Sequence, residues 1–200
     1  TIYNGIDIER FTSHSIPKSR DNIIIGNVGR QTALKNQIQI LRAAKVICME
    51  YPAHFIIVGD SDQDSHTFNR KYIADNGLGD CVTMQGSQYD IENYYKKFNI
   101  FILSSVSESC PNALFEAMLS GCLCIVSEGA NSDQFIKDGQ NGFVYDGTDG
   151  MLIEKVRMAI SFLKTGEAKV IQENGRDYVI KTFSMMNMLM EYVKLYDSLA

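Results

Sequence analysis

The chain has 200 residues, of which 45% are hydrophobic, and its 19 basic and 24 acidic residues give a formal net charge of −5. This length and apolar content suit one compact domain, and the acidic balance argues against nonspecific nucleic-acid binding, which needs a basic surface. The longest apolar runs fall far short of the roughly 20 residues that span a bilayer, so the sequence predicts no transmembrane segment.

The five cysteines include no Cys-x-x-Cys pair, and most of them lie within apolar runs. This usage is typical of a reduced protein with buried thiols, not of a disulfide scaffold, so we expect a cytoplasmic location. No signal peptide is visible. The chain begins with Thr1 instead of an initiator methionine, and we therefore expect it to be a piece of a longer protein.

Short β-branched runs alternate with amphipathic segments along the chain. The predicted strands are 22–28, 54–59, 81–84, 100–105, 122–127 and 142–146. The predicted helices are 35–50, 66–76, 88–98, 112–120, 131–137, 149–164, 167–181 and 184–199. Because the strand segments are continuous apolar runs and not alternations, both faces of the sheet should be covered. The order predicts a doubly wound α/β domain with a parallel six-stranded sheet.

The loop after the first predicted strand carries two cations. In open α/β sheets, ligands bind beyond the carboxyl ends of the strands, where the strand order reverses. Gly29 frees the backbone there, and Arg30 and Lys35 follow it, with a helix expected to start near residue 34 or 35. Two cations at a glycine turn and a helix start can hold one anion from two sides. Two unrelated surface cations remain the alternative.

The segment 107–121, SESCPNALFEAMLSG, places Glu108 in a loop and Glu116 about one turn inside the next helix. Pro111 suits the first turn of that helix, and the amides near Asn112 and Ala113 can meet a phosphate. Both carboxylates can accept hydrogen bonds from the hydroxyls of a sugar or ribose. Alternatively, both are solvated acids, with Glu108 favoured by the helix dipole.

The segment 58–65, VGDSDQDS, contains three aspartates. Its spacing lacks the glycine and the distal glutamate of an EF-hand, and no histidine or cysteine pair joins it. We therefore predict a solvated loop whose acids cap the following helix, and no metal site. The three histidines are scattered, and we assign none of them as a general base.

Several of these segments together resemble the retaining nucleotide-sugar glycosyltransferases of family GT4, which have the GT-B fold of two facing Rossmann-like domains. SESCPNALFEAMLSGCLCIVS is similar to their E-G-F-P-N-x-x-x-E-A-M-x-x-G-x-P-V-V segment, NVGRQTALKNQ to their phosphate clamp, and IKDGQNGFVY to their Asp-Gly-x-Asn-Gly turn. The opening TIYNGIDIERF and the closing TFSMMNMLMEYVKLYDSL resemble the two ends of the C-terminal domain. The similarity covers nearly the whole chain.

The resemblance implies a domain organisation. Residues 1–200 would be the C-terminal nucleotide-sugar-binding domain, with 1–20 as a hinge, 21–182 as a Rossmann-like core and 183–200 as a closing helix. The N-terminal acceptor-binding domain would be absent from this chain. The whole enzyme would be a metal-independent hexosyltransferase of bacterial surface-glycan or glycolipid synthesis, with its acceptor half touching the inner face of the membrane. We expect the isolated domain to transfer no sugar.

The resemblance also implies roles for individual residues. Arg30 and Lys35 would hold the donor's diphosphate and form the catalytic set together with Glu108, which would contact the transferred sugar. Glu116 would accept from the ribose, and the Met84–Gly86 turn would hold the nucleobase. The implied donor-binding residues are Gly29, Arg30, Lys35, Met84, Gly86, Glu108, Cys110, Pro111, Asn112, Ala113 and Glu116. The donor would be a UDP- or GDP-linked sugar, and no cofactor is implied.

The chain departs from the family pattern in the loops that would contact the sugar. Ser109 and Cys110 replace the usual Gly-Phe, Gln134 stands near an expected acid, and the proline expected after Gly121 is absent. These departures leave the donor open. Two alternative functions also stay open: a nucleotide-sugar epimerase of GT-B type, for which no histidine lies in the right loops, and a noncatalytic nucleotide-binding α/β module.

Overall fold

A computed structural model describes residues 2–12, 22–131 and 133–199. Its centre is a sheet of six parallel strands in the order β3-β2-β1-β4-β5-β6. The strands are β1 Ile23–Val28, β2 Ala53–Val58, β3 Val82–Gln85, β4 Ile100–Leu103, β5 Leu123–Ser127 and β6 Phe143–Tyr145. This topology confirms the predicted doubly wound, Rossmann-like α/β fold. Part of the predicted hinge lies outside the described residues.

Helices cover both faces of the sheet. They are α1 Ile8–Thr12, α2 Gln37–Glu50, α3 Gln63–Asp75, α4 Glu92–Tyr95, α5 Asn112–Leu119, α6 Asp149–Thr165, α7 Ala168–Thr182 and α8 Met185–Asp197. One core cluster joins the sheet to α2 and α6, and a second joins it to α1, α4 and α5. Helix α7 contributes to both clusters.

Strand β4 shows why the strand segments are continuous apolar runs. Ile100 and Ile102 pack into the cluster with α2 and α6, whereas Phe101 and Leu103 pack into the cluster with α4 and α5. Successive side chains of a strand point to opposite faces, so a strand buried on both faces needs an apolar residue at every position. The unbroken runs therefore predicted the strands correctly.

The predicted helix 131–137 is wrong where the structure describes that segment. A short 3₁₀ turn covers Gly129–Asn131. The side-chain amide of Asn131 then donates to the carbonyl of Ile136 and accepts from its backbone N–H, both at 2.8 Å. Gln134 has a left-handed backbone with φ of 54°. These side-chain bonds satisfy backbone groups that a helix would have paired internally.

The predicted helix 88–98 shortens to α4, which has four residues. Beyond it, Lys97 and Phe98 donate backbone hydrogen bonds to the carbonyls three residues earlier, the spacing of a tight turn. Asn99 then donates its backbone N–H to Ile24 at 2.8 Å and enters β4 beside β1. The chain has to turn early in order to reach this pairing.

Helix α8 lies on the surface. None of the residues Met185–Asp197, all of which the structure describes, is buried. The helix is held at its start, where Gly5 donates its N–H to the Met188 sulfur at 3.1 Å and Ile6 forms a bridge with Ser184. No helix in the described ranges is long and apolar enough to cross a membrane.

Candidate functional site

The strand order reverses between β1 and β4. From β1 the chain continues to β2 on one side, and from β4 it continues to β5 on the other. The loops that follow these two strands are joined, because Val106 donates its N–H to the Leu34 carbonyl at 2.8 Å. The Ser104 hydroxyl also donates to the carbonyls of Lys35 and Asn36, at 2.9 and 3.1 Å. The loops thus form one rim at the position where such folds bind ligands.

Two glycines bring the loop after β1 against the loop after β2. Gly29 donates its N–H to Val58 at 2.9 Å, and Gln31 donates to Asp60 at 2.6 Å. A Cβ atom on Gly59, whose φ is 137°, would lie only 2.2 Å from the Gly29 carbonyl oxygen. Only glycine at position 59 allows the two backbones to come this close. The hydrogen bonds then hold the two loops together, and Arg30 lies at their edge.

A cleft of about 420 Å³ opens at this edge. It is lined by Val28, Gly29, Arg30, Val58, Gly59, Asp60, Ser87, Gln88, Ile91 and Glu116. The structure therefore brings together three of the predicted site residues, Gly29, Arg30 and Glu116, from separate segments of the chain. The cation of Arg30 and the carboxylate of Glu116 line the same cavity. Such a pair suits a ligand that carries a phosphate beside hydroxyl groups, because the cation can bind the phosphate and the carboxylate can accept from the hydroxyls.

Glu116 lies in the second turn of α5 and forms one wall of the cleft. The hydroxyl of the fully buried Tyr95 donates to its Oε2 at 2.9 Å. Burial raises the pKa of Glu116 above its ordinary value, while the Tyr95 hydroxyl and the charge of Arg10 act in the opposite direction. Burial also raises the pKa of Tyr95 well above the ordinary tyrosine value, so this hydroxyl remains a donor.

Lys35 and Glu108 are also brought together, but as an ion pair with each other. The Nζ of Lys35 lies 2.5 Å from Oε1 of Glu108, and the Ser105 hydroxyl donates to the same oxygen at 2.6 Å. The side chains of Lys35 and Glu108 are 29% and 10% exposed. We call Lys35, Ser105 and Glu108 the Glu108 corner.

The expected helix start at residue 34 or 35 is wrong. Helix α2 begins at Gln37, after Asn36, whose left-handed backbone has φ of 55°. Lys35 therefore lies in the preceding turn and not in the first turn of the helix. To an anion it can offer only its own charge, without the helix dipole that the sequence suggested.

The residues before α5 differ in exposure. Pro111 is buried and stands just before the helix instead of in its first turn. Cys110 and Ala113 are half-buried and Asn112 is exposed. The Asn112 backbone N–H, expected to be free for a phosphate, donates to the Cys110 carbonyl at 3.0 Å. This amide could meet a ligand only by exchanging that partner.

Met84 and Gly86 line a second cavity of about 340 Å³. It shares Gly59 and Asp60 with the first cleft, so the two cavities are neighbours along the edge of the sheet. Of the three aspartates in this loop, Asp62 caps α3 by accepting from Ser65 N–H at 2.7 Å. That bond confirms the capping expected for the loop.

Sequence reasoning missed Asp60 and Tyr95. Asp60 accepts from the Ser87 N–H at 3.1 Å and lines both cavities. Its place directly after β2 was a usable signal, since every loop on this edge follows a strand. Tyr95 carried no such signal, because it belongs to a short helix and reaches Glu116 from below the cleft.

Three buried amide oxygens near the end of β1 have no donor among the residues that the structure describes: Oδ1 of Asn27 and Oε1 of Gln31 and Gln37. The amide nitrogens of Gln31 and Gln37 donate to Gly59 and Arg30 carbonyls, at 2.8 and 3.1 Å, so these bonds set their orientation. Buried polar atoms without partners cost stability. Their grouping at one edge is typical of a functional site.

A family model described as "Glycosyl transferases group 1" matches residues 9–181. An Escherichia coli relative, UDP-Gal:alpha-D-GlcNAc-diphosphoundecaprenol alpha-1,3-galactosyltransferase, is 25% identical over 207 residues, covering 98% of this chain and 53% of the relative. The amylovoran biosynthesis glycosyltransferase AmsK of Erwinia amylovora is 27% identical over 180 residues, covering 84% and 42%. The chain thus spans about half the length of these relatives.

Solved structures share the fold. A glycosyltransferase from Rickettsia africae superposes with a TM-score of 0.89 at 23% identity, over 98% of this chain and 56% of that protein. Anabaena Alr3699/HepE, in complex with UDP and glucose, gives 0.86 at 21% identity, over 98% and 56%. The C-terminal domain of LpcC from Francisella tularensis gives 0.75 at 22% identity, over 92% and 96%.

Proposed function

This chain belongs to the family of glycosyl transferases group 1, and from that membership we propose that it is the C-terminal, donor-binding part of a retaining GT4 enzyme. The enzyme transfers a hexosyl group from a UDP- or GDP-linked sugar without a metal ion. The acceptor, a glycan or lipid-linked glycan, binds to an N-terminal half that attaches peripherally to the inner face of the membrane. The isolated part binds nucleotide and transfers no sugar.

The observation that carries this proposal is the cleft of about 420 Å³ that Arg30 and Glu116 line together. A nucleoside diphosphate presents an anion and, a few bonds away, a pair of ribose hydroxyls. The Arg30 guanidinium suits the phosphate oxygens, and the Glu116 carboxylate accepts from the hydroxyls. The cleft lies where the strand order reverses, the usual ligand position of this fold.

The neighbouring cavity of about 340 Å³ supports a place for the nucleobase. It includes Met84 and Gly86 and adjoins the first cleft through Gly59 and Asp60. A nucleobase bound in this cavity could be attached to a ribose that is bound at Glu116 in the first cleft.

The Glu108 corner supports the chemical step. Lys35 can turn from Glu108 to the diphosphate when the donor binds, adding a second cation beside Arg30 on the leaving group. Cations placed where negative charge develops lower the barrier to bond cleavage. Glu108 then accepts from the transferred sugar in place of Lys35.

Relatives support the wider assignment. The Escherichia coli relative is named for UDP-Gal and a diphosphoundecaprenol-linked acceptor, and AmsK for amylovoran biosynthesis. The HepE structure holds UDP and glucose, and the LpcC structure is of a C-terminal domain with nearly the length of this chain. Together they favour a uridine nucleotide, a bacterial surface glycan and a C-terminal position in a longer enzyme.

The test is calorimetric titration of the 200-residue chain with UDP, GDP and ADP. One nucleotide should bind best, and Arg30→Ala should weaken it about 10- to 100-fold, because a charge-assisted hydrogen bond is lost. Arg42→Ala is the matched control, since Arg42 is an exposed arginine of α2 that pairs with Asp149 at 3.2 Å, outside the cleft.

Two binding results would contradict the proposed nucleotide site. The first is equal weakening by Arg30→Ala and Arg42→Ala, which indicates nonspecific attraction of an anion. The second is binding of none of the three nucleotides, both by this chain and by the longer enzyme. Sugar transfer by the 200-residue chain alone would contradict its assignment as an inactive part.

A further inference from the structure

Tyr95 lies beneath the cleft and is completely buried. Its hydroxyl donates to Oε2 of Glu116 at 2.9 Å. We propose that Tyr95 is a positioning residue, whose hydroxyl holds one oxygen of the Glu116 carboxylate so that the other oxygen meets the ribose of a bound nucleotide. This inference rests on the proposed function, because it assigns to Glu116 the contact with the ribose.

The ring of Tyr95 is held on several sides. Its centroid lies 5.8 Å from the ring of Phe11 and 5.9 Å from the rings of Phe98 and Phe101. The Cys122 thiol donates to the Tyr95 backbone carbonyl at 3.5 Å. In a close-packed interior such a ring keeps one rotamer, so the direction of its O–H bond towards Glu116 is set by the fold.

Glu116 needs such support because its side chain is long and lies at the wall of a cleft. A free glutamate distributes over several rotamers, and binding a ligand would have to restrict them at a cost in entropy. A carboxylate has about four lone-pair positions, of which the Tyr95 hydroxyl occupies one on Oε2. The bond therefore orders the side chain before the ligand arrives and leaves Oε1 to accept from it.

The groups around Glu116 also decide its charge. Helix α1 brings Arg10, which lowers the pKa of Glu116, and α4 brings Glu92, which raises it; these two form an ion pair at 2.8 Å. Across the cleft, Arg30 and Asp60 face the same cavity. Burial raises the pKa most, and the Tyr95 bond opposes it. Removing the hydroxyl should therefore raise the pKa of Glu116 further.

Loss of the Tyr95 hydroxyl should change the pH dependence of nucleotide binding, which the loss of a packing contact alone would not do. The ionised carboxylate is the better acceptor for ribose hydroxyls, so nucleotide affinity should fall as the pH drops through the pKa of Glu116. Without the Tyr95 hydroxyl the fall should begin at a higher pH. The midpoint of the affinity profile should thus move upward.

The experiment titrates the 200-residue chain with UDP and with GDP between about pH 5 and pH 8. Tyr95→Phe should bind the preferred nucleotide about 3- to 10-fold more weakly at neutral pH, as expected for one hydrogen bond. Its affinity should also fall at a higher pH than that of the wild type. Glu116→Gln should weaken binding and flatten this pH dependence.

Tyr145→Phe is the matched control. Tyr145 is also buried, and its hydroxyl donates to Oε1 of Gln39 at 2.6 Å on the other face of the sheet. Its substitution should leave both the nucleotide affinity and its pH profile unchanged.

Arg10→Gln is a second test that leaves the packing around Tyr95 intact. It alters an exposed side chain whose charge lowers the pKa of Glu116, so it should shift the midpoint of the affinity profile in the same direction as Tyr95→Phe, by less.

The outcomes separate the inference from the proposed function. If the wild type binds, Glu116→Gln weakens binding, and Tyr95→Phe matches the wild type in affinity and pH profile, Tyr95 does not position Glu116 and the proposed function stands. If Glu116→Gln leaves affinity unchanged, Glu116 does not contact the ribose, and the inference about Tyr95 is overturned. If no nucleotide binds, either to this chain or to the longer enzyme, the proposed function is overturned as well.

Discussion

The loop that carries Glu108 and the helix that carries Glu116 follow each other in the chain, but they hold their carboxylates by different means. Glu108 is bound by the cation of Lys35 and by the Ser105 hydroxyl. Glu116 accepts from the neutral hydroxyl of Tyr95, and the charges of Arg10 on α1 and Glu92 on α4, which pair with each other, act on it in opposite directions.

The difference separates two kinds of site. In the Glu108 corner, each charge already has a partner, so a ligand must replace that partner in order to bind. At Glu116 the charge is oriented but poorly compensated, which costs stability and leaves an acceptor ready. We therefore expect the Glu108 corner to exchange partners when a ligand binds, and Glu116 to accept a ligand without rearrangement.

The largest effect should come from breaking the Glu108 corner. Lys35→Met leaves the nearly buried carboxylate of Glu108 without its cation, and we expect the free energy of unfolding to fall by about 1–3 kcal/mol. Adding Glu108→Gln should restore most of the loss, because both charges are then absent. Urea unfolding of the single and double variants measures this.

The matched control for that cycle is Lys71→Met. Lys71 pairs with Asp75 at 2.7 Å, but both side chains are mostly exposed, so its loss should change the free energy of unfolding by less than about 0.5 kcal/mol. A double variant as unstable as Lys35→Met alone would show that Lys35 stabilises the fold through something other than Glu108.

A smaller effect of opposite sign should follow from Glu116→Gln. The folded-state pKa of Glu116 is raised, so its ionisation costs stability as the pH rises through that pKa. Glutamine does not ionise, so the variant should be more stable than the wild type near pH 7 and equal to it near pH 4. Urea unfolding at both pH values tests this. Glu173→Gln, at an exposed glutamate of α7, should show no such gain.

The smallest effect concerns nucleotide affinity. Glu108→Gln frees Lys35 from its competing partner, and we expect UDP or GDP to bind about 2- to 5-fold more tightly, in line with the modest strength of a partly exposed ion pair. Calorimetric titration beside Glu116→Gln, which should weaken binding, would show the contrast directly. Weaker binding by Glu108→Gln would mean that Glu108 holds Lys35 in place for the phosphate.

The strands could be predicted because a doubly covered sheet demands apolar residues at every position, as β4 shows. The error at 131–137, where a helix was predicted, could not be avoided in this way, because the apolar residues Phe135 and Ile136 are buried without the backbone pairing of a helix. Their backbone groups bond instead to the side chains of Asn131 and Asn141. Apolar content reports burial, and only the tertiary fold decides which backbone conformation achieves it.

The charged residues of the site could be located because each lies in the loop after a strand or about one turn inside the helix that follows that loop. The side chains that these residues contact could not be predicted from the sequence. Lys35 meets Glu108 across 73 residues of sequence, and Tyr95 meets Glu116 across 21. These contacts depend on the pairing of β1 with β4 and on the early end of α4, neither of which leaves a local pattern in the sequence.

Helix α8 differs from α7 in the amount of apolar packing that resists its unfolding. Helix α7 buries Ile171 and Val179 in the core, whereas α8 buries no residue within Met185–Asp197. Because little apolar packing resists it, we expect α8 to unfold and refold while the sheet stays intact. Its amide hydrogens should therefore exchange with solvent through this local opening, at a rate that a nucleotide in the cleft leaves unchanged. We therefore expect the domain to open as two cooperative units, of which a nucleotide in the cleft would stabilise only the one that contains the sheet.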